Sequence, residues 1–388
     1  MKPIINLIQR LALNDPKLRY PEYALDDGKI HVLYMAVPLN ATGLYRCILP
    51  AITLNTTTTH CAIINDMQNW YNYDRFRPQS LPITDQLIRW AHYIIFPTVF
   101  NHHKDFRKLI TEFREFNPDV KIFIDVDDDI MNISPYHPNA KRYTPLLIEN
   151  VLKNMDLCDG VTCTHRRLCD WYEEHTAHPK YYPLPNLMTH LTMPGAEPPP
   201  KNTTGKTHLG MTLNFTQLQD VMKIKPVLKH LTQAKKYHLT VFGWDGKLFY
   251  NGSMRDTLAF ISHRHVKEVQ IQNYFTMLRQ LAYDIALMPL CNNHFNQMKS
   301  NHKLLQYAQL GIPVIGPYMP PYNEAPIEWC EEVFYTHVGD NAQEWIEAIE
   351  YLSNNKNARQ EAITRAHKTV NENYMIEDNI NIWQKCFK

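Results

Sequence analysis

A chain of 388 residues is too long for one ordinary domain and short for three, so two domains are expected. Hydrophobic residues at 44%, charged residues at 20% and a net charge of +1 describe a globular protein with a full core, and exclude the overall basic excess of a dedicated nucleic-acid binder. Glycine is scarce at 12 residues and never occurs as G-x-G, so the dinucleotide fingerprint is excluded.

The N-terminal stretch Met1 to Leu13 is interrupted by Asn6, Gln9 and Arg10 and lacks the apolar core of a signal peptide. Strands are predicted at His31–Val37, Cys61–Ile64, Tyr93–Phe96, Lys121–Asp125 and Gly160–Cys163. Helical patterns lie near Gly43–Leu54, Thr84–Ala91, Lys104–Phe116, Pro145–Met155 and His165–His175. The longest apolar run, Trp90 to Phe100, is broken by His92 and Pro97 and falls short of the ~20 residues a bilayer requires. No transmembrane segment is expected. A proline-rich stretch, Pro194 to Pro200, and the polar residues after it read as a linker over 196–207.

Beyond the linker, strands are predicted at His208–Leu213, His238–Phe242, Val266–Ile271, Asp284–Leu287, Pro313–Ile315 and Glu332–Tyr335. Helices are predicted at Thr216–Leu231, Tyr274–Ala282, Ser300–Leu310, Ala342–Ser353 and Asn357–Asn373. Alternation of this kind implies an α/β protein: two tandem Rossmann-like, doubly wound domains with a ligand cleft between them. The expected division is an N-terminal domain over 1–195, a C-terminal domain over 208–374, and one amphipathic helix within 375–388. The eight cysteines show no C-x-x-C spacing and read as reduced thiols in the cytoplasm (the host cytoplasm for a viral chain). The 19 histidines lack companion ligands at metal spacing.

Phosphate chemistry concentrates in the second half. Gly205–Lys206–Thr207 ends like a phosphate-binding loop, but Pro200 stands where the first glycine belongs, and Met211 rather than lysine follows Gly210. A substitute lies further on, where a polar loop containing Asn296 precedes a helix predicted from Ser300. Ser300 can cap that helix, whose free N–H groups and dipole form an anion site beside Lys299 and Lys303. Two lysines at a helix start suit a departing diphosphate. The strand and turn from His208 to Asn214 offer Gly210, Thr212 and Asn214 as donor-side contacts. In the first half, Gly43 would permit close backbone approach to phosphate, and Arg46 would assist the leaving group. The acidic run Asp127, Asp128 and Asp129 is placed on the acceptor side rather than around a metal. Trp70 to Arg77, rich in aromatics and arginine, has the composition to grip a polymer.

Asp284-Ile-Ala-Leu-Met-Pro-Leu290, Phe295-Asn-Gln-Met-Lys-Ser300, Lys303-Leu-Leu-Gln-Tyr-Ala308 and Gly311-Ile-Pro-Val-Ile315 together resemble the GT-B glycosyltransferases, above all the family 4, glycogen-synthase-like group. Leu184–Pro185–Asn186 is similar to that group's turn before the interdomain linker, and the terminal helix to the one that crosses back onto the first domain. The resemblance implies retaining transfer of a sugar from a nucleoside-diphosphate sugar to an acceptor hydroxyl. The acceptor would be a glycan or a hydroxymethylated base in viral DNA, and no metal or other cofactor would be needed. By register the group's two glutamates fall on Met298 and Gln306; Gln306 can still meet a ribose hydroxyl, but Met298 cannot act as an acid. A non-catalytic nucleotide-sugar or glycan binder is the alternative that this loss suggests.

Overall fold

The computed structural model describes residues 28–66, 87–97, 103–190, 202–243, 258–323 and 336–388, apart from positions 39, 136, 138, 139, 179, 203 and 260. The strand predicted at Glu332–Tyr335 and the Trp70–Arg77 segment lie outside them, and of the expected linker only Asn202 and Thr204 to Thr207 lie within. The chain forms two compact units: one holds the described residues within 2–131, 143–191 and 376–388, the other those within 132–142 and 192–375. Residues 132–142, expected in the N-terminal domain, group with the C-terminal unit. There the Ser134 hydroxyl donates to Gln219 at 3.0 Å and the His137 ring meets Phe295 edge-on.

The N-terminal unit is built on six parallel strands: β1 (Ile30–Val37), β2 (His60–Asp66), β3 (Tyr93–Phe96), β4 (Lys121–Val126), β5 (Gly160–Cys163) and β6 (Lys180–Pro183), in the order β2-β1-β3-β4-β5-β6. β3 and β5 are buried along their whole length, as strands covered on both faces must be. β6 was not predicted: it is an edge strand ending in Pro183, and proline within a run argues against a central strand. After β1 the chain winds through a helical turn, Ala41–Gly43, and a π-helical stretch, Leu44–Ile48, into α1 (Leu49–Leu54). Three longer helices follow: α2 (His103–Phe116), α3 (Pro145–Met155) and α4 (Arg166–Glu173). α3 begins as its sequence dictates, with Thr144 accepting from Leu147 N–H and Pro145 in the first turn.

The second sheet is also all parallel: β7 (Thr207–Leu213), β8 (Tyr237–Gly243), β9 (Arg264–Lys267), β10 (Ile285–Leu287), β11 (Val314–Pro317) and β12 (Thr336–Val338), ordered β12-β11-β10-β7-β8-β9. The single helix expected over Thr216–Leu231 is broken into a 3₁₀ turn, Phe215–Gln217, then α5 (Leu218–Lys223) and α6 (Lys225–Gln233). Pro226, in the first turn of α6, has no N–H to continue α5. Val266–Ile271 is not a strand. β9 ends at Lys267, where β8, its only partner among the described residues, ends at Gly243, and Ile271 opens α7 (Ile271–Gln280).

Two helices follow β10: α8 (His294–Gln297) and α9 (His302–Gln309). α9 stops at Gly311, whose φ of +69° suits a helix C-cap and favours glycine. α10 (Ala342–Asn354) and α11 (Lys356–Asn373) cover this unit, Trp345, Ile349 and Leu352 of α10 joining the core formed by β7 and β8. The predicted terminal helix is two short ones, α12 (Ile376–Asn379) and α13 (Asn381–Cys386). They pack within the N-terminal unit: Ile376 N–H donates to Met188 C=O, and the His60 ring bonds Phe387 C=O at 2.9 Å.

Candidate functional site

In open parallel sheets, ligands gather at the carboxyl ends of strands. At that end of the C-terminal sheet, β7 runs into Asn214, whose side chain accepts from Thr216 N–H at 3.0 Å and from the Thr216 hydroxyl at 2.6 Å. Gln217 completes a capping box by accepting from Asn214 N–H at 3.1 Å. Lys303, in the first turn of α9, donates to that same Gln217 oxygen at 2.7 Å and to Thr212 C=O at 2.9 Å. The start of α9 is thereby tied to the end of β7.

Burial and then the Lys299 charge pull the Lys303 ammonium down to about 7, against the attraction of Asp220. Asp220 is buried beside both lysines and accepts from Cys291 N–H at 2.8 Å and the Asn296 amide at 2.9 Å. Lys299 sits over the Phe295 ring at 4.7 Å. His302 is lowered to about 3 by burial and then by Lys303 and Lys299, so its ring is neutral at ordinary pH. Two ammonium groups, one buried carboxylate and a neutral imidazole thus form a patch of locally positive potential.

Several expected donor-side residues have other work in this unit. Lys299 is not on a helix face with Lys303: it lies in the connection between α8 and α9. Ser300 does not cap α9, which begins after Asn301 without a side-chain cap; the Ser300 hydroxyl instead meets the His302 ring at 2.9 Å. Gly210 lies inside β7, where an added Cβ would overlap the Tyr283 ring, so glycine is required there by packing. Thr212 has its N–H donated to the Tyr307 hydroxyl and its carbonyl taken by Lys303. Asn296 is buried, its amide committed to Asp220 and Cys291 C=O. Gln306 is only 4% exposed and its carbonyl accepts from the Tyr274 hydroxyl at 3.0 Å. Met298 is buried as well.

The N-terminal unit has its own polar cluster at the carboxyl end of β4. Arg46, 4% exposed in the π-helical stretch, grips the Asp125 carboxylate at 2.5–3.2 Å and also donates to Leu184 C=O and to the Asn186 side chain at 3.1 Å. Thr162 adds a bond to Asp125 at 2.5 Å. Arg46 is therefore not available to a leaving group; it fastens the Leu184–Asn186 turn to β4. Gly43 is required by packing: its Cα faces Pro38 C=O so closely that a Cβ would overlap that oxygen.

The three expected acceptor-side acids separate. Asp129 is fully buried and accepts from Met131 N–H at 3.0 Å and the Trp171 indole at 3.2 Å, a structural position. Asp128 contributes its backbone carbonyl to the Tyr172 hydroxyl. Asp127 is half-buried, accepts from the Thr42 hydroxyl at 2.8 Å, and is raised to about 7 by burial and then by Asp128 and Asp125. Among the described residues no three His, Cys, Asp or Glu side chains gather as a metal site would need. Sequence reasoning missed Thr42, Gln217, Asp220 and Tyr274. The Asn214-x-x-Gln217 spacing, a capping-box signature, was the one available signal for any of them.

No family profile matches the sequence, and no curated protein matches it. Solved structures do. An alpha-glucosyltransferase in complex with UDP and a 13-mer DNA containing an HMU base superposes with a TM-score of 0.64 over 93% of this chain and 99% of its own, at 8% identity. The fold is GT-B. A sucrose-phosphate synthase from Thermosynechococcus elongatus (TM-score 0.58, 10% identity, 92% of this chain and 98% of its own) shares the GT-B architecture. So does a glycosyltransferase from Rickettsia africae (0.57, 12%, 92% and 97%). The chain spans 55% of the length of the S. aureus TarM that it also resembles, at a TM-score of 0.51 and 10% identity. Among the described residues no helix is long and apolar enough to cross a membrane.

Proposed function

We propose that this GT-B protein is a glycosyltransferase of the family 4 type, moving a sugar from a nucleoside-diphosphate donor to an acceptor hydroxyl with retention. The observation that carries the reading is the meeting of Lys299 and Lys303 at the start of α9, beside the carboxyl end of β7. Lys303, brought down to about 7 without a ligand, regains its proton when a diphosphate arrives, because the new negative charge offsets the cost of burial. As the glycosidic bond breaks, negative charge grows on the departing phosphate, and two fixed ammonium groups stabilise that charge more than the ground state. Ser300, Asn214 and the first-turn N–H groups of α9 are the adjoining contacts for phosphate and ribose. In retention the departing phosphate itself takes the acceptor proton, so the reaction requires no protein base.

Of the two acceptor classes, the hydroxymethylated base in DNA is favoured by the likeness to the alpha-glucosyltransferase that holds DNA. A duplex carrying such a base would be glycosylated, with binding that falls steeply as salt rises. Glycosylation of glycans alone, with salt-insensitive or absent DNA binding, would assign the other class. The buried Met298 and the Tyr274-covered Gln306, standing where the family group has glutamates, favour a second reading: a binder without turnover. A screen of common nucleotide sugars for release of free nucleoside diphosphate decides between them. Release with one donor supports the enzyme; thermal stabilisation by a donor that is never turned over supports the binder.

A further inference from the structure

The tripeptide Gly205–Lys206–Thr207, excluded as a phosphate loop, opens β7 and lines a cavity of about 600 Å³ at the amino end of the C-terminal sheet. Asp284, just before β10, and Pro313, just before β11, line the same cavity, so it lies at the opposite strand ends from Lys299 and Lys303. Four cationic side chains converge on it: Lys206, Arg279, Lys356 and Arg359. Among the described residues the one acidic side chain in the wall is Asp284, and a single oxygen of it accepts from His208 N–H at 2.7 Å and the Asn202 amide at 2.6 Å.

The cations are positioned rather than loosely clustered. Asn202 also donates to Lys206 C=O at 2.6 Å, and the Thr204 hydroxyl donates to Asn202 at 2.8 Å, so the turn carrying Lys206 is hydrogen-bonded to the start of the sheet. Arg359 spends one guanidinium nitrogen on Leu352 C=O and on Ser353 C=O at 2.9 Å, at the end of α10, which fixes the group and leaves its other edge without a partner among the described residues. The side chains of Lys206, Arg279 and Lys356 have no ion-pair partner among the described residues. Four positive charges against one carboxylate, around a space large enough for a small molecule, call for a multiply charged anion.

We propose that this cavity is a second anion site, separate from the donor site, that takes a small ligand bearing two or more linked phosphates. Arg359 would engage phosphate oxygens in its planar fork while Lys206, Arg279 and Lys356 neutralise charge around the rim. The proposal does not depend on the glycosyltransferase reading.

The test is titration of tripolyphosphate into the full chain at low salt by calorimetry, with UDP titrated in parallel. The variants are Lys206→Glu and Arg279→Glu, whose side chains make no ion pair with any described residue. Each should weaken a saturable tripolyphosphate site about tenfold or more while leaving UDP affinity unchanged, and Lys299→Ala should do the reverse. A wild-type chain with no saturable site, or variants that bind tripolyphosphate as tightly as wild type, would overturn the proposal. So would a loss confined to binding of a short DNA duplex, which would make the patch a nucleic-acid surface instead.

Discussion

The two sheets end in opposite kinds of polar cluster. At the carboxyl end of β4, charge is balanced internally: Arg46 and Asp125 are both buried, and bonds to Leu184, Asn186 and Thr162 use their remaining capacity. At the start of α9, charge is left in excess: two lysines face one buried carboxylate, and burial has lowered Lys303 toward neutrality. A satisfied ion pair holds strand ends and turns in register but has no capacity for a ligand. An unbalanced pair of cations costs stability in the free protein and gains it back when an anion arrives. The contrast separates a positioning cluster from a binding one, although both were marked by the same residue types in the sequence.

The largest effect tests the first half of that contrast. Arg46→Met leaves the Asp125 carboxylate buried without its partner, and should lower the stability of the N-terminal unit by about 3–5 kcal/mol in urea denaturation. A variant that folds like wild type but loses only turnover would return Arg46 to the catalytic role and erase the contrast. The second half predicts the opposite balance. Lys303→Met should weaken UDP binding about 10–100-fold, since a hydrogen bond to a charged group is worth ~1.5–3 kcal/mol. Lys299→Ala should act in the same direction with a smaller effect, because this ammonium also rests on the Phe295 ring. Unchanged UDP affinity in both would remove the diphosphate site.

Acid and base behaviour sharpens the comparison further. Lys303 has its pKa lowered on folding, so between about 7 and the unfolded value of ~10.4 the unfolded chain binds more protons. Its contribution to stability is fully present above that window and is lost as pH falls through about 7. Asp127 is raised instead: its contribution is present below ~3.9 and lost as pH rises toward about 7. Subtracting the melting profile of Lys303→Met from wild type should therefore leave a curve rising with pH, and Asp127→Asn a curve falling with pH. UDP affinity of the wild type should itself decline above about pH 7, as the free protein's lysine becomes neutral. Two flat difference curves would mean that neither group is perturbed.

Most of the fold could be read from periodicity, because parallel strands buried on both faces stand out as short apolar runs. β3, β5 and α3 have the bounds that their residues predict. Edges were harder: β6 carries a proline, and β9 has one neighbour among the described residues, so tertiary pairing rather than pattern sets where each stops. At the sites, the sequence pointed to the α9 start through Lys299 and Lys303 but not to what surrounds them. Asp220 lies 79 residues before Lys299 in the chain, and Thr42 lies 85 before Asp127, so neither pairing leaves a local trace. Gly43, Gly210 and Asn296 have residue types that permit close contact with a ligand. In each case a closer neighbour within the protein, Pro38, Tyr283 or Asp220, already occupies that capacity.

The smallest effect concerns the link between cap and cation. Gln217 serves two groups at once, accepting from Asn214 N–H and from Lys303. Gln217→Ala removes both bonds, loosens the turn after β7 and leaves Lys303 with Thr212 C=O as its one acceptor among the described residues. The stability loss should be about 1 kcal/mol, the usual cost of a lost cap. UDP binding should change less than in Lys303→Met, because the ammonium stays and an arriving phosphate replaces the lost acceptor. If Gln217→Ala instead weakened UDP as much as removing the lysine, the orientation of Lys303 rather than its charge would control the site. The two clusters would then differ less than their charge balance implies, since both would depend on side chains fixed by neutral hydrogen-bond partners.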